Sequence, residues 1–173
     1  MSDEPATPER PPGLALRPAT TADEPFLREL FRLMREPQLA MLPFDEAQRA
    51  AFCESQYQAR AAHYRDAYPG ARHSIVENDG NRVGTLVEAR GAAAIHLVDL
   101  QLSPAFQARG WGTELMLQLQ REASRLGLPV ILHVESRGRA RRFYERLGFS
   151  PGSDDGVYCE MSWVPPGDGV TPR

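Results

Sequence analysis

The residues with the clearest chemical potential follow an apolar, strand-like segment at residues 95–102. There Gln107-Ala108-Arg109-Gly110-Trp111-Gly112 places two glycines one residue apart, immediately before a helical pattern. Such a loop can turn several backbone N–H groups toward one point at the positive end of a helix dipole. This arrangement suits a phosphate or a pyrophosphate, and a tight turn without a ligand is the alternative.

Two better-known phosphate-binding loops do not fit this segment. A P-loop requires Gly-Lys followed by Ser or Thr, and this sequence is absent. A dinucleotide-binding fingerprint requires a third glycine three residues after the second, where this chain has Leu115. The loop therefore belongs to neither class.

A second block of residues lies downstream, after one further predicted strand. It reads Ala140-Arg141-Arg142-Phe143-Tyr144-Glu145-Arg146-Leu147-Gly148-Phe149, and Pro104 stands three residues before Gln107. The two blocks resemble Gln/Arg-x-x-Gly-x-Gly/Ala and Ala-x-x-Phe-Tyr-x-x-x-Gly-Phe of the GNAT superfamily of acyl-CoA N-acyltransferases. The order of predicted elements agrees with that family over residues 14 to 164.

The resemblance implies that acetyl-CoA is the co-substrate and that the loop binds its pyrophosphate. The backbone at the end of the preceding strand would pair with the pantetheine arm. Arg137 stands where the family often has an asparagine that contacts the cofactor, in a basic cluster for which a solvated helix face is the alternative. The cofactor-binding residues expected on this basis are Leu100, Gln101, Leu102, Gln107, Ala108, Arg109, Gly110, Trp111, Gly112, Thr113 and Arg137.

Tyr144 matches the tyrosine that protonates the departing CoA thiolate in GNAT enzymes. The chemistry requires a proton donor there because negative charge develops on sulfur as the thioester breaks. Simple packing beside Phe143 on an apolar helix face is the alternative.

An acceptor amine is cationic at neutral pH and must lose a proton before it attacks a thioester. His96 and Asp99 are polar residues within the central strand, and Asp99 lies where several small-amine GNAT enzymes carry acidic residues. We expect Asp99 to be the catalytic carboxylate, with a structural salt bridge as the alternative. His96 is expected near the acceptor, or else as a hydrogen-bonded core histidine. Glu88 and Glu135 are further carboxylates at strand ends.

The second predicted helix occupies the region that covers the acceptor pocket in GNAT enzymes. Its side chains Gln56, Arg60 and His63 are expected to bind the acceptor, together with His96 of the central strand. The alternative is that this helix face is simply exposed to solvent. Arg60 and His63 indicate an anionic group on the acceptor, such as a carboxylate.

Hydrophobic periodicity supplies the elements that would position these residues. The predicted order is β, α, α, β, β, β, α, β, α, β, and the strand at 95–102 is central because it is apolar on both faces. The strand, helix and strand between residues 95 and 134 should form a right-handed crossover with parallel strands. With the resemblance, this predicts the α/β GNAT fold: a mixed, mostly antiparallel central sheet of about six to seven strands, with helices on both faces and a splayed parallel strand pair.

Local signals give the boundaries of the elements. Thr21 and Glu24 have the spacing of a capping box for the first helix, and Asp45 should begin the second, with Phe52 and Tyr57 facing inward. We expect residues 13–164 to form one N-acetyltransferase domain between a disordered tail at 1–12 and a flexible tail at 165–173.

Composition narrows the partners. The 173 residues carry a net charge of −3, which argues against a nucleic-acid partner, and no apolar run is long enough for a membrane span. Cys53 and Cys159 match no metal spacing, and the N-terminal residues lack the features of a signal peptide. We therefore expect a cytoplasmic protein with no metal, and the resemblance allows a homodimer.

These observations together predict an N-acetyltransferase that acts on a primary amine of a small molecule or peptide. The amine would attack acetyl-CoA directly in a ternary complex. A non-catalytic CoA-binding or protein-interaction module on the same fold is the alternative.

Overall fold

The structure, a computed structural model, describes residues 13–166. The strands are β1 (Leu14–Pro18), β2 (Arg72–Asn78), β3 (Asn81–Arg90), β4 (Ile95–Leu102), β5 (Val130–Glu135), β6 (Ser150–Asp154) and β7 (Tyr158–Trp163). The helices are α1 (Glu24–Leu39), α2 (Glu46–Ala67), α3 (Trp111–Leu126) and α4 (Arg139–Arg146), with 3-10 turns at Thr21–Asp23 and Pro104–Phe106. The predicted tail at 1–12, and the predicted C-terminal tail from residue 167 onward, lie outside the described residues. No helix among residues 13–166 is long and apolar enough to cross a bilayer.

Seven strands form one mixed sheet in the order β1-β2-β3-β4-β5-β7-β6. Among residues 13–166 the β4–β5 pairing alone is parallel, and every other neighbouring pair is antiparallel. The predicted GNAT fold is therefore confirmed. The sequence prediction omitted β6, because its residues Ser-Pro-Gly-Ser-Asp are all exposed and carry no apolar alternation.

The parallel strands β4 and β5 separate soon after they meet. They pair only at Ile95, His96 and Leu97 of β4, although β4 continues to Leu102 and β5 to Glu135. On its other side β4 carries a bulge, since Val87 pairs with Asp99 while the next residue of β3, Glu88, pairs with Leu97. The extra residue, Val98, reverses the alternation of side chains. Leu97 therefore faces the core, and Asp99 faces the opposite side of the sheet, toward α2.

Two hydrophobic clusters hold the helices on the sheet. The larger joins the sheet to α3 and α4 and includes Leu115, Met116, Leu119 and Tyr144. The smaller joins α1, α2 and β2, and its buried members are Leu27, Phe31, Leu39, Cys53, Tyr57 and Ile75. The prediction that Phe52 faces inward is wrong, because Phe52 is 40% exposed and the adjacent Cys53 takes the buried position.

Asp23 connects the start of α1 to two strands. Its buried carboxylate accepts hydrogen bonds from both terminal nitrogens of Arg17 at 2.8 Å, from Arg82 at 3.3 Å and from the Thr20 backbone N–H at 2.9 Å. The predicted capping box at Thr21 and Glu24 is therefore shifted by one residue, to Thr20 and Asp23. The reason is the 3-10 turn that precedes α1, which the helical periodicity alone does not reveal.

Candidate functional site

The loop before α3 presents a run of unused backbone donors. Ala108 and Gly110 have positive φ angles of 57° and 81°, which turn the chain back on itself just before the helix begins. Within the described residues, no backbone N–H from Ala108 to Thr113 donates to a protein acceptor. The first bonded amide is Glu114, which donates to the Gly110 carbonyl at 2.9 Å. Free amides at a helix N-terminus can bind an anion such as a pyrophosphate.

Side-chain contacts fix this loop against its surroundings. Gln107 Nε2 donates to the Leu102 carbonyl at 2.9 Å and contacts Met34 Sδ at 3.3 Å, so its side chain anchors the loop to β4 and α1. A Cβ atom on Gly112 would lie 3.4 Å from Phe143 Cζ, so α4 packs closely on the loop. The two sequence blocks that lie far apart in the chain are therefore in contact.

The gap between the separating strands β4 and β5 forms a cleft of about 660 Å³. Its lining includes residues from α2, β4, β5, α4 and the β6–β7 region: His63, Tyr64, Tyr68, Asp99, Leu100, Glu135, Ala140, Tyr144 and Tyr158. Among the described strands, none pairs with the backbone of β4 beyond Leu97 on the side of this cleft. An extended ligand could therefore bind along the strand edge.

Tyr144 lies at the wall of the cleft with its ring held by two others. The ring packs edge-on against Phe143 and Phe149, at centroid distances of 5.0 and 5.5 Å. Among the described residues its hydroxyl has no hydrogen-bond partner. Burial raises the pKa of Tyr144 far above its usual range, and the negative charge of Asp99 adds to this shift. The phenol therefore keeps its proton across the neutral range and can donate it.

A second cavity of about 540 Å³ lies on the other side of Asp99, between α1, α2 and strands β2 to β4. Its polar lining consists of three tyrosines, a threonine and five charged or titratable groups: Tyr57, Tyr64, Tyr68, Thr85, Glu24, Arg60, Arg65, His73 and Asp99. Asp99, Tyr64 and Tyr68 line both this cavity and the cleft. The two spaces therefore share a wall, and Asp99 is the carboxylate within it.

Asp99 forms an ion pair with Arg60 in this shared wall. Arg60 Nη1 lies 3.0 Å from Asp99 Oδ2, and the two side chains are only 20% and 16% exposed. Burial raises the pKa of Asp99, while the charge of Arg60 and a hydrogen bond from the Leu100 backbone oppose that rise. The Arg60 guanidinium lies 4.4 Å from the centroid of the Phe31 ring and within 6 Å of the Tyr57 and Tyr64 rings.

Comparison with known proteins identifies the domain. Residues 69–151, which contain the cleft strands, the loop and α4, match the family model described as acetyltransferase (GNAT) domain. The chain carries a GNAT acetyltransferase domain. A search of curated proteins found no match.

Solved structures show the same GNAT fold at low sequence identity. The PaiA N-acetyltransferase of Thermoplasma acidophilum, solved in complex with coenzyme A, is 17% identical with a TM-score of 0.66, over 87% of this chain and 98% of that one. An acetyltransferase of Thermus thermophilus is 19% identical with a TM-score of 0.63, over 87% and 96%. The ribosomal-protein-S18-alanine N-acetyltransferase of Escherichia coli is 16% identical with a TM-score of 0.59, over 92% and 99%. At these identities the likeness establishes the fold alone.

Several residues predicted for the site lie outside both spaces of this GNAT domain. Gln56 is exposed on α2 and Arg137 is exposed before α4, and neither lines the cleft or the second cavity. His96 packs against the Tyr68 ring at a centroid distance of 6.0 Å, and His63 lines the cleft rather than the second cavity. Among the residues expected at the pantetheine arm, Leu100 lines the cleft whereas Gln101 and Leu102 do not. The ligand contacts of these residues stay predictions.

The second cavity also contains groups that the sequence did not predict for the site. Tyr57 donates its hydroxyl to Glu24 Oε2 at 2.6 Å, joining α2 to α1. His73 of β2 pairs with Val87 of β3, and Val87 pairs in turn with Asp99 of β4. The three residues therefore form one row across the sheet. This row places His73 and Asp99 on the same face of the sheet. Only the strand register could have revealed it.

His73 has a defined tautomer in this arrangement. Its Nε2 lies 2.6 Å from Thr85 Oγ1, and the Thr85 hydroxyl donates its single proton to the Ser74 carbonyl at 3.1 Å. With the threonine proton assigned to that carbonyl, Nε2 donates to Thr85 and Nδ1 keeps a lone pair. Desolvation lowers the pKa of His73, and the positive charge of Arg60 adds to this effect. The ring is therefore a neutral hydrogen-bond acceptor in the cavity.

Proposed function

We propose that this GNAT domain is an N-acetyltransferase that transfers the acetyl group of acetyl-CoA to a primary amine of a small molecule or peptide. The observation that supports this most directly is the position of Asp99 between two spaces, since the cleft contains a phenol and the second cavity is open to an acceptor. A carboxylate at such a junction can reach an amine on one side while the thioester lies on the other.

The residues available for acetyl-CoA fit its chemistry. The unused backbone N–H groups from Ala108 to Thr113 would hold the pyrophosphate, with the dipole of α3 favouring its negative charge. The unpaired edge of β4 beside Leu100 would hold the amide-containing arm. Bound there, acetyl-CoA would supply an activated carbonyl that an uncharged amine can attack.

Two side chains would carry the proton transfers. Asp99 would accept a proton from the ammonium group of the acceptor, which leaves a free electron pair on nitrogen. The raised pKa of Asp99 makes it a stronger base than an exposed carboxylate, and the nearby charge of Arg60 favours its ionised form. The Tyr144 hydroxyl would donate its proton to the departing thiolate.

Direct transfer agrees with the positions of the cysteines. Cys53 is buried among the residues between α1 and α2, and Cys159 is buried in the larger core. Neither lines the cleft or the second cavity, so neither is placed to accept the acetyl group from the thioester. We therefore propose attack by the amine itself in a ternary complex.

The test combines a binding measurement with a turnover measurement. CoA should raise the melting temperature of the protein, and a panel of primary amines should include acceptors that release thiol from acetyl-CoA and yield an N-acetylated product by mass spectrometry. Stabilisation by CoA with no product from any amine or peptide would contradict the enzyme and favour a non-catalytic CoA-binding module.

A further inference from the structure

We infer that the acceptor is a free α-amino acid, bound as a zwitterion with its ammonium group on Asp99 and its carboxylate on Arg60. The inference rests on the proposed acetyl transfer and specifies its substrate class. Its basis is the charge pattern of the cavity wall together with the unused hydrogen-bonding capacity of Arg60.

The Arg60–Asp99 pair presents two opposite charges, 3.0 Å apart, to the same cavity. A simple amine bound to Asp99 would bring its positive charge close to the guanidinium. In partly buried surroundings two like charges this close repel each other strongly, because the low local dielectric screens them poorly. A carboxylate on the neighbouring carbon cancels that repulsion, because it meets Arg60 while the ammonium group meets Asp99. An α-amino acid has its charges at this short separation.

Arg60 is held in place without exhausting its donors. A guanidinium has five N–H donors, and within the described residues Arg60 makes one hydrogen bond, the one to Asp99. The guanidinium is otherwise surrounded by the rings of Phe31, Tyr57 and Tyr64. Such ring contacts fix its orientation through cation–π attraction. The remaining N–H groups are therefore pre-arranged for the two oxygens of a carboxylate.

This pattern distinguishes a free amino acid from a peptide N-terminus. In a peptide the α-carboxyl group is an amide, which carries no charge for Arg60 to bind. The cavity, at about 540 Å³, has room for a single amino acid, with Leu27, Ala61 and Val87 supplying apolar wall and the His73 ring supplying a polar group. We expect the acceptor's side chain to occupy that part of the cavity.

The test compares four kinds of acceptor that differ in the group at the α-carboxyl position. Thiol release from acetyl-CoA is measured for leucine, phenylalanine, glutamate and serine. For each of them the acceptors are the free amino acid, its carboxamide, its decarboxylated amine and a peptide that begins with the same residue. For at least one of the four residues, kcat/KM should be at least about tenfold higher for the free amino acid than for its carboxamide, its decarboxylated amine or the peptide. A difference of this size is expected when a hydrogen bond between charged groups is present. The chain has no lysine, so its own side chains add no primary amine to the assay.

Arg60→Met tests the residue itself. It should lower the ratio of kcat/KM for the amino acid to that for the decarboxylated amine at least about tenfold, because the carboxylate loses its partner. Arg35→Met is the matched control, since Arg35 also lies over the Phe31 ring, at 5.1 Å, but lines neither the cavity nor the cleft. Its ratio should equal that of the wild type. The CoA-induced rise in melting temperature verifies folding of both variants.

The outcomes separate this inference from the proposed function. Equal or better turnover of carboxamides, amines or peptides would overturn the amino-acid assignment and leave the acetyltransferase standing. Retention of the wild-type ratio in Arg60→Met would also overturn the assignment. Absence of product from every acceptor, with CoA still bound, would overturn both.

Discussion

At the scale of single residues, the proposed chemistry depends on how burial changes two ionisable groups. Asp99 and Tyr144 both have raised pKa values because both are desolvated, and the charge of Asp99 adds to the shift of Tyr144. For the carboxylate a higher pKa means a stronger base, and for the phenol it means a proton that is retained until a stronger base appears. These opposite uses of desolvation suit a proton acceptor and a proton donor.

Asp99→Asn should lower kcat on a good acceptor by about a hundredfold or more, the usual contribution of a general base. Because the ionised carboxylate is the active form, the wild-type rate should fall as the pH drops through the pKa of Asp99. That pKa is raised by burial, so the decline should begin above the usual carboxylate range. Asparagine should remove this acid limb from the profile of kcat/KM against pH.

The control for Asp99→Asn is the dissociation constant of CoA, which should change little, because the pyrophosphate loop is separate from Asp99. An unchanged pH profile in the variant would show that another group takes the proton. His73 would then be the first residue to examine, since it faces the same cavity with a neutral ring.

Tyr144→Phe should lower turnover at least about tenfold, because the thiolate would leave without a proton donor. The phenylalanine ring preserves the edge-on contacts with Phe143 and Phe149, so the fold and CoA binding should persist. Single-turnover kinetics should first establish that chemistry limits the rate. Wild-type turnover under that condition would rule out Tyr144 as the acid.

The sequence supplied some of these residues and not others. Tyr144 and the glycine loop follow from spacing within short motifs, and Asp99 was conspicuous as a charge in an apolar strand. Glu24 and His73 were not predicted for the site, because carboxylates and histidines are common in any sequence. Their place in the cavity depends on strand register and on the helix packing that brings Tyr57 to Glu24. No local pattern contains that information.

At the scale of elements, the loop before α3 depends on a left-handed residue at Gly110. A Cβ atom there would meet no other atom within 4 Å, so the penalty for alanine is conformational rather than steric. For an L-residue that penalty is about 1–2 kcal/mol. Gly110→Ala should therefore disfavour the loop conformation that leaves these amides free and weaken CoA binding several-fold, as measured by calorimetry.

Gly127→Ala is the matched control for Gly110→Ala. Gly127 ends the same helix, also has a positive φ, of 65°, and also has open space around its Cβ position. It should lose comparable stability while keeping wild-type affinity for CoA. Equal losses of affinity in both variants would show that the loop amides have no special role.

The order of the long elements was predictable, and their fine structure was not. Amphipathic helices and apolar strands repeat over enough residues to be identified, whereas the Val98 bulge involves one residue and changes which face Asp99 occupies. The 3-10 turn at Thr21–Asp23 similarly moved the helix cap by one position. β6 has no apolar alternation, since its contribution to the sheet is backbone pairing with β7.

At the scale of the whole molecule, Asp23 joins β1, the start of α1 and β3 through charges. The Arg17 guanidinium, with further donors from Thr20 and Arg82, holds the pKa of Asp23 well below its ordinary value of 3.8. The unfolded chain therefore takes up a proton near pH 4 that the folded protein does not. This difference stabilises the fold above the unfolded pKa, and the stabilisation declines as the pH falls below it.

Asp23→Asn should lower the free energy of unfolding at neutral pH and flatten its decline in acid. Urea unfolding at a series of pH values from 7 down to 3 measures both effects. Asp66→Asn provides the control, since Asp66 is an exposed residue of α2, and it should leave both the stability and its pH dependence unchanged. If the free energy of unfolding of Asp23→Asn falls with decreasing pH as steeply as that of the wild type, other carboxylates cause the acid sensitivity.

The brief pairing of β4 with β5 has a consequence for the cohesion of the molecule. With only three paired rows, at Ile95, His96 and Leu97, the sheet consists of two half-sheets, β1 to β4 and β5 to β7, hinged at one end of a shared seam. A co-substrate lying in the gap would connect β4 and β5 where they form no hydrogen bonds to each other. Its binding free energy would then also stabilise the association of the two half-sheets. The protein with CoA bound should unfold in a single cooperative transition, and release of CoA should make the junction of the two half-sheets more mobile.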